Sequence, residues 1–372
     1  MSFRLFKNEN QKKPIVALQS SARSVVFSSE TGFSLVELLA AVTIFIVCIG
    51  AAYGLLEVAR ASRTTVNQQV QTMQAARSAM NAMGRDILNA GSGDFRQSGN
   101  GALLKNGALS NLLGIPFVAA DFDRLSTIVP GDNLTQNNLS GNYTDQITLL
   151  YQDITFNSNQ SLNVLPNGVN PVGGFVNINP NKSNCNVNDL IIVSGSTVSA
   201  IGMITNVTAG NSGGLTPGDT AFFKTGDPLG FNNSYQNGPI AQIRNQPASF
   251  TRVTLVTYRV LSDGTLVRTL YGNNPNGTTR ESQIQDSPLV QNVENMQIEY
   301  VLADGSISSN PTVDSSSMTP LSPSQAAANM QSVRQVRISL TLRSSQKDMR
   351  NNQPIKLTLS STFGTRNLSY QR

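Results

Sequence analysis

A single stretch of apolar residues near the start of the sequence limits what this chain can fold into. From Phe33 to Leu56 the only side chain charged at neutral pH is that of Glu37, and the stretch ends at Glu57. A run of this length is long enough for a helix to cross a bilayer, and it is longer than the apolar core of a secretory signal. Residues 33–56 are therefore predicted to form a membrane-spanning helix.

The segment before this stretch is basic. Residues 1–32 contain five lysines and arginines against two glutamates, which gives a net charge of +3. Because positively charged flanks tend to stay in the cytoplasm, everything after Leu56 is expected on the far side of the membrane. We interpret residues 1–32 as a leader peptide.

The helix is predicted to continue beyond the membrane. Apolar residues recur at steps of three and four, as on one face of an α-helix, and polar residues fill the intervening positions. The apolar stripe consists of Val66, Val70, Met73, Ala76, Met80, Met83 and Ile87. Gly91 provides a helix stop. One helix is expected over residues 33–90, apolar all round over 33–56 and amphipathic over 57–90.

After Gly91 the pattern changes to short segments rich in β-branched residues, separated by turn-forming residues. Strands are predicted over Tyr143–Tyr151, Asp189–Val193, Val198–Val207, Thr251–Leu261, Thr265–Tyr271, Val293–Leu302, Val333–Leu342 and Ile355–Phe363. Residues 262–264 (Ser-Asp-Gly) suit a hairpin connection. Loops are predicted over residues 91–142, 157–187, 209–250 and 303–332. Residues 91–372 should form an exported, β-rich head.

These elements favour the α+β class, with a long N-terminal helix packed on a mainly antiparallel sheet that carries long loops. The chain has no histidine and only two cysteines, Cys48 and Cys185. This composition excludes histidine-based catalysis, a disulfide framework and a multi-cysteine zinc site. We therefore expect neither an enzyme nor a bound cofactor.

Two weaker patterns leave ligand binding open. Asp121, Asp123 and Asp132 could supply oxygen ligands to calcium, although acidic loop residues are usually only solvated, and no metal site is predicted. Arginines on the strand 333–342 and just beyond it could contact DNA or an acidic partner, but such residues more often form the wet face of a sheet. The charge of +2 after residue 32 gives little support for nucleic-acid binding.

The start of the apolar stretch carries the motif that indicates function. Residues 31–37 read Thr-Gly-Phe-Ser-Leu-Val-Glu, which resembles the processing site of type IV prepilins. The resemblance implies cleavage between Gly32 and Phe33 and N-methylation of Phe33 by a prepilin peptidase and methyltransferase. A lone carboxylate in hydrocarbon is costly and needs a partner. The new amine of a neighbouring subunit can be that partner for Glu37, which makes Glu37 a residue of filament assembly.

The rest of the chain resembles PilW-type minor pilins and the related J-type minor pseudopilin of type II secretion. The similar segments are residues 77–91 (RSAMNAMGRDILNAG), 256–260, 264–268, 288–300 and 333–343. The resemblance implies a minor, tip-proximal subunit that helps to start and assemble a type IV pilus. Its expected partners are the major pilin and other minor pilins.

The same resemblance implies a location in the bacterial inner membrane, with the head in the periplasm, and later in the extracellular pilus, or fimbrium. Motility, adhesion and DNA uptake are all outcomes of such a filament. The alternatives are a minor pseudopilin of a type II secretion system and a pilus-tip adhesin.

Overall fold

The computed structural model describes residue 32 and residues 34–93, 101–115, 121–179, 184–209, 218–224, 226–232, 238–274, 283–317, 319–348 and 352–368. The predicted leader, apart from Gly32, lies outside the described residues. The chain divides into two compact units, one up to Ala59 and one from Arg60 onward.

A single long helix, α1 (Leu35–Asn89), confirms the helix expected near the N-terminus. Up to Ala59 its described side chains are exposed all round, and most of them are apolar. In the second unit one face becomes buried from Ala76 onward, and that face includes Met80, Met83 and Ile87.

The predicted apolar stripe is not buried against the head at its N-terminal end. The side chains of Val66 and Val70 are 55% and 48% exposed, whereas Gln68 between them is buried. The contacts that α1 makes here are polar, because the Nε2 of Gln68 donates to the Oε1 of Gln346 at 3.0 Å. The apolar core of the head begins at Ala76, with Ala75 packed against it, so Val66 and Val70 lie outside that core.

The head contains seventeen strands and two short helices among the described residues. The strands are β1 (Ala102–Lys105), β2 (Phe122–Leu125), β3 (Ile128–Gln136), β4 (Tyr143–Gln152), β5 (Leu162–Asn170), β6 (Phe175–Asn179), β7 (Leu190–Ser194), β8 (Ser199–Met203), β9 (Asn206–Thr208), β10 (Asp219–Phe222), β11 (Ser249–Val260), β12 (Leu266–Tyr271), β13 (Ile284–Val290), β14 (Val293–Leu302), β15 (Ile307–Ser308), β16 (Val333–Lys347) and β17 (Pro354–Gly364). The helices are α2 (Ala108–Leu113) and α3 (Pro323–Gln331), and 3₁₀ turns cover Phe156–Asn159, Pro239–Ile243 and Arg366–Leu368.

The strands form two sheets that are mainly antiparallel, which confirms the predicted fold class. The smaller sheet has the order β15-β14-β16-β17. The larger has the order β2-β1-β8-β7-β11-β5-β6-β10-β9, while β4 and β12 also pair with β11, and β3 and β13 flank them. Strand β11 joins the two halves of this larger sheet, because it pairs with β7 up to Arg252 and with β4 from Val253.

One hydrophobic core unites the end of α1 with strands of both sheets. The side chains of Met80 and Met83 share this core with Tyr258 on β11, Met296 on β14 and Val336 on β16. Each is at most 2% exposed. The strand predicted over Val333–Leu342 is also confirmed in β16, where buried apolar residues from Val336 to Leu342 alternate with less buried polar ones. Apolar burial of this kind is the main favourable term that holds the helix to the head.

The predicted loops are wrong in large part. Residues 91–142 contain β1 to β3 and α2, and residues 157–187 contain β5 and β6. Residues 209–250 contain β10 and a 3₁₀ turn, and residues 303–332 contain β15 and α3. The predicted strand Val198–Val207 is split into β8 and β9.

The asparagines explain why the sequence of these segments resembles that of loops. Of the eleven described non-glycine residues with positive φ, ten are asparagines. Asparagine tolerates the left-handed backbone conformation better than most residues. An Asn-rich composition therefore reflects tight turns between short strands in this chain.

Candidate functional site

The described part of the predicted processing motif, Gly32 and residues 34–37, lies at the start of helix α1. Gly32 is exposed, and Phe33, the residue after it, lies outside the described residues. The carbonyl oxygen of Ser34 accepts hydrogen bonds from the backbone N–H groups of Glu37 at 2.9 Å and Leu38 at 3.0 Å. Helix α1 therefore begins at Leu35, within the motif, and Glu37 lies in its first turn.

Glu37 lies in apolar surroundings that contain no cation. Leu35, Val36 and Leu38 beside it are 79%, 74% and 59% exposed, and residues 34–59 contain neither lysine nor arginine. Helix α1 is the one described helix that is long and apolar enough to cross a membrane. In a bilayer, a carboxylate at this position would need a positive group from outside residues 34–59.

The other end of α1 is fixed to the head by a polar cluster around Asp86. One oxygen of its carboxylate, Oδ2, accepts from the Nε of Arg268 at 2.9 Å and from the hydroxyl of Tyr258 at 2.7 Å. The other oxygen accepts from the hydroxyl of Tyr151 at 3.2 Å. Burial, together with the Asp86 carboxylate, raises the pKa of Tyr151 to about 12. We call these four residues the Asp86 cluster. They are only partly accessible to solvent. Because they connect α1 to β4, β11 and β12, they fix the rotation of the helix about its axis and its position along that axis.

The last turn of α1 is capped from the far end of the chain. The side-chain amide of Asn367 donates to the carbonyl oxygens of Leu88 at 3.1 Å, Asn89 at 3.3 Å and Ala90 at 3.1 Å. These are among the carbonyls that a helix end leaves unpaired. Gly91 then adopts a φ of 75°, the left-handed conformation that commonly ends a helix. The chain terminus and the helix are thereby held together.

Close packing adds a further constraint one turn earlier in the helix. Gly84 faces the ring of Phe363 on β17, and an added Cβ at this glycine would lie 2.3 Å from the ring. No side chain fits there unless the ring moves. Glycine at position 84 is therefore explained by the approach of β17 to the helix.

The structure does not arrange Asp121, Asp123 and Asp132, the residues considered as possible calcium ligands, as a metal site. Asp123 is buried and accepts from the backbone N–H of Leu109 at 2.9 Å, at the start of α2. Asp132 instead contacts the side-chain amide of Asn133. Within the described ranges, no three histidine, cysteine or acidic side chains lie close enough to hold a metal ion.

The arginines of β16 make contacts within the head. Arg337 pairs with Glu299 on β14 at 3.0 Å. Arg334 donates to backbone carbonyls, including that of Leu368. These contacts agree with their interpretation as the polar face of a sheet.

Sequence reasoning missed the Asp86 cluster and Asn367. One signal was available, because Tyr258 and Arg268 lie directly opposite each other on β11 and β12. The hairpin joining these strands was predicted from its turn residues, and its register alone would have placed the two side chains on one face. The contact of that face with Asp86 required the tertiary structure.

Comparisons with known proteins support the resemblance in one part of the chain. The sequence model of the family described as type IV pilus-assembly protein W matches residues 257–371. Comparison with curated proteins and with solved structures gives no match. The matched segment begins in β11 and includes the smaller sheet and Arg268 of the Asp86 cluster. The predicted similarity to PilW-type pilus proteins is therefore confirmed over the C-terminal region of the chain.

Proposed function

We propose that this chain is a minor, tip-proximal subunit that helps to start and assemble a type IV pilus. The observation that carries the proposal is a single helix with two different ends. One end is apolar all round, with Glu37 in its first turn, and the other is fixed in a head whose C-terminal part, residues 257–371, matches the pilus-assembly family.

Assembly would proceed through processing at the start of the helix. A prepilin peptidase in the inner membrane cuts between Gly32 and Phe33, and methylation of the new amine of Phe33 preserves its positive charge. The amine of a neighbouring major or minor pilin then pairs with Glu37. This pair compensates the charge of the carboxylate within the hydrocarbon. It also sets the position of one helix along the axis of the next.

The size of the head supports a position at the end of the filament. The larger sheet alone contains thirteen of the described strands, which makes a bulky subunit for a lattice of repeating copies. A subunit at the tip has no neighbour above it and can carry a larger head. The head would be exported to the periplasm and would reach the cell exterior with the pilus.

Mass spectrometry of sheared filaments tests this proposal. The mature protein should begin with methylated Phe33, and its abundance should be far below that of the major pilin. A mature start near Ala52 or Tyr53 would instead identify a secretory signal. Immunogold labelling should mark filament ends, so uniform labelling along the shaft would contradict the tip position.

A variant at the cleavage site provides the control. Gly32→Val should leave uncut precursor in the membrane, because the branched side chain restricts the backbone that a peptidase must bind. Nothing lies within 4 Å of a Cβ added at Gly32, so the change should leave the head unaltered. Normal processing of this variant would count against the predicted cleavage site.

A further inference from the structure

The outer strand of the smaller sheet, β17, differs from the other sheet edges of this protein. Exposed edges invite pairing with another chain, and proteins usually protect them by shortness, proline, charge or bulges. Strands β2, β9 and β15 are edges of four, three and two residues. The longer edges are interrupted, β3 by Pro130 and a register shift and β13 by Pro288.

Strand β17 has eleven residues and little protection of this kind. Its proline, Pro354, and its single charge, Lys356, both lie at the start. From Lys356 to Gly364 it pairs with β16 in an unbroken register. Among the described residues no strand pairs with its other side. A long and regular edge, uncharged after Lys356, is therefore left open among the described residues.

One contact just beyond the end of β17 shows which of its residues direct their backbone N–H and C=O groups away from β16. The backbone N–H of Thr365 donates to the carbonyl oxygen of Arg334 at 2.9 Å. Bonded pairs alternate with unbonded pairs along an antiparallel ladder, so every second residue of β17 directs its N–H and C=O away from β16. The residues that do so are Lys356, Thr358, Ser360, Thr362 and Gly364. Their side chains are exposed.

This set of residues is complementary to itself. If two copies pair antiparallel with Ser360 opposite Ser360, Thr358 lies opposite Thr362 and Lys356 lies opposite Gly364. No charge faces a like charge, and pairs of hydroxyl side chains stabilise neighbouring strands. On the other face of the sheet, Leu357 lies opposite Phe363 of the second copy.

The apolar pair adds a reason for the association. Leu357 and Phe363 are only partly buried within one copy, and pairing would cover more of their surface. In other registers fewer of the five outward-facing residues find a partner. We propose that β17 is a self-association edge, on which a second copy of this chain adds its own β17 as an antiparallel strand. The inference goes beyond the proposed pilus role and does not depend on it.

Disulfide cross-linking of the full chain in its native membrane tests this pairing. In a Cys48→Ala, Cys185→Ser background, Ser360→Cys should give a covalent dimer on mild oxidation. Directly opposed bonded residues have Cα atoms about 5.5 Å apart, within the range for a disulfide. Ser324→Cys, an exposed position on α3, is the matched control and should stay monomeric.

The register is tested with two single-cysteine chains expressed together. Thr358→Cys and Thr362→Cys should cross-link to each other more than either does to itself. Equal cross-linking of all combinations would contradict the proposed register.

Charge exchange at the symmetry position provides a second measurement. Ser360→Lys and Ser360→Glu should each lose the dimer in detergent-solubilised protein, because like charges would lie opposite each other. Mixing the two variants should restore it. The proposal is overturned if Ser360→Cys gives no more dimer than Ser324→Cys, or if it cross-links to a different pilus subunit instead.

Discussion

The Asp86 cluster makes a quantitative prediction about how the helix is held. In Asp86→Ala the guanidinium of Arg268 loses its partner, and the hydroxyls of Tyr151 and Tyr258 each lose a hydrogen bond. Breaking a fully buried ion pair costs about 3–5 kcal/mol, whereas an exposed pair contributes about 0–1 kcal/mol. Here the side chains of Arg268 and Asp86 are 27% and 14% exposed, which places the pair between these limits.

The two lost hydroxyl contacts add about 1 kcal/mol each. We therefore expect Asp86→Ala to lower the free energy of unfolding by about 3 kcal/mol. Asp86→Asn keeps the shape and one acceptor oxygen, so its cost should be about half as large. The measurement is urea unfolding of the second compact unit, expressed from Arg60 onward.

A surface ion pair of the same head is the matched control. Arg337 and Glu299 also lie 3.0 Å apart, but their side chains are 42% and 47% exposed. Glu299→Ala should therefore cost less than about 1 kcal/mol. In the double variant Asp86→Ala, Arg268→Met the loss should be smaller than the sum of the single losses, because no unpaired guanidinium remains. Equal stability of Asp86→Ala and Glu299→Ala would refute the anchoring role.

Two further predictions concern the two faces and the start of α1. Met80→Asp should cost more than about 3 kcal/mol, because it places an isolated charge at a position that is 2% exposed; Gln69→Asp, at an exposed position, should be tolerated in the same unfolding assay. Glu37→Ala should reduce the number of pili without blocking membrane insertion or cleavage, as counted by electron microscopy beside the mature mass, since removing a carboxylate makes the helix less costly to keep in lipid. Unchanged pilus numbers would contradict the pairing of Glu37 with a neighbouring amine.

Regular patterns made part of the fold predictable from the sequence. The length of the apolar stretch from Phe33 indicated a helix, and the alternation along Val333–Leu342 has the period of a strand; the structure contains α1 and β16 at these places. The segments between residues 91 and 250 lack such regularity. Their strands are short, and asparagine supplies the left-handed turns between them, so composition alone resembled that of loops.

The contacts that hold the helix were out of reach for a different reason. Asp86 and Arg268 are separated by 182 positions in the sequence, and Asn367 lies 279 positions from Leu88. No local period relates residues that are so far apart. The charge of Asp86 did not predict its contacts either, since a carboxylate between buried positions on a helix is usually solvated.

The error at Val66 and Val70 shows what a helical stripe can establish. The period of apolar residues locates one face of α1 from Val66 to Ile87, and nothing in that period identifies the surface that covers the face. From Ala76 onward the cover is the core of the head, whose strands reach the helix at Met80 and Met83. Below Ala76 the helix is met by polar side chains at the end of β16, such as Gln346. Any apolar cover stabilises a hydrophobic face, whatever its source. The same apolar period therefore occurs in a segment that the head buries and in one that the head leaves exposed.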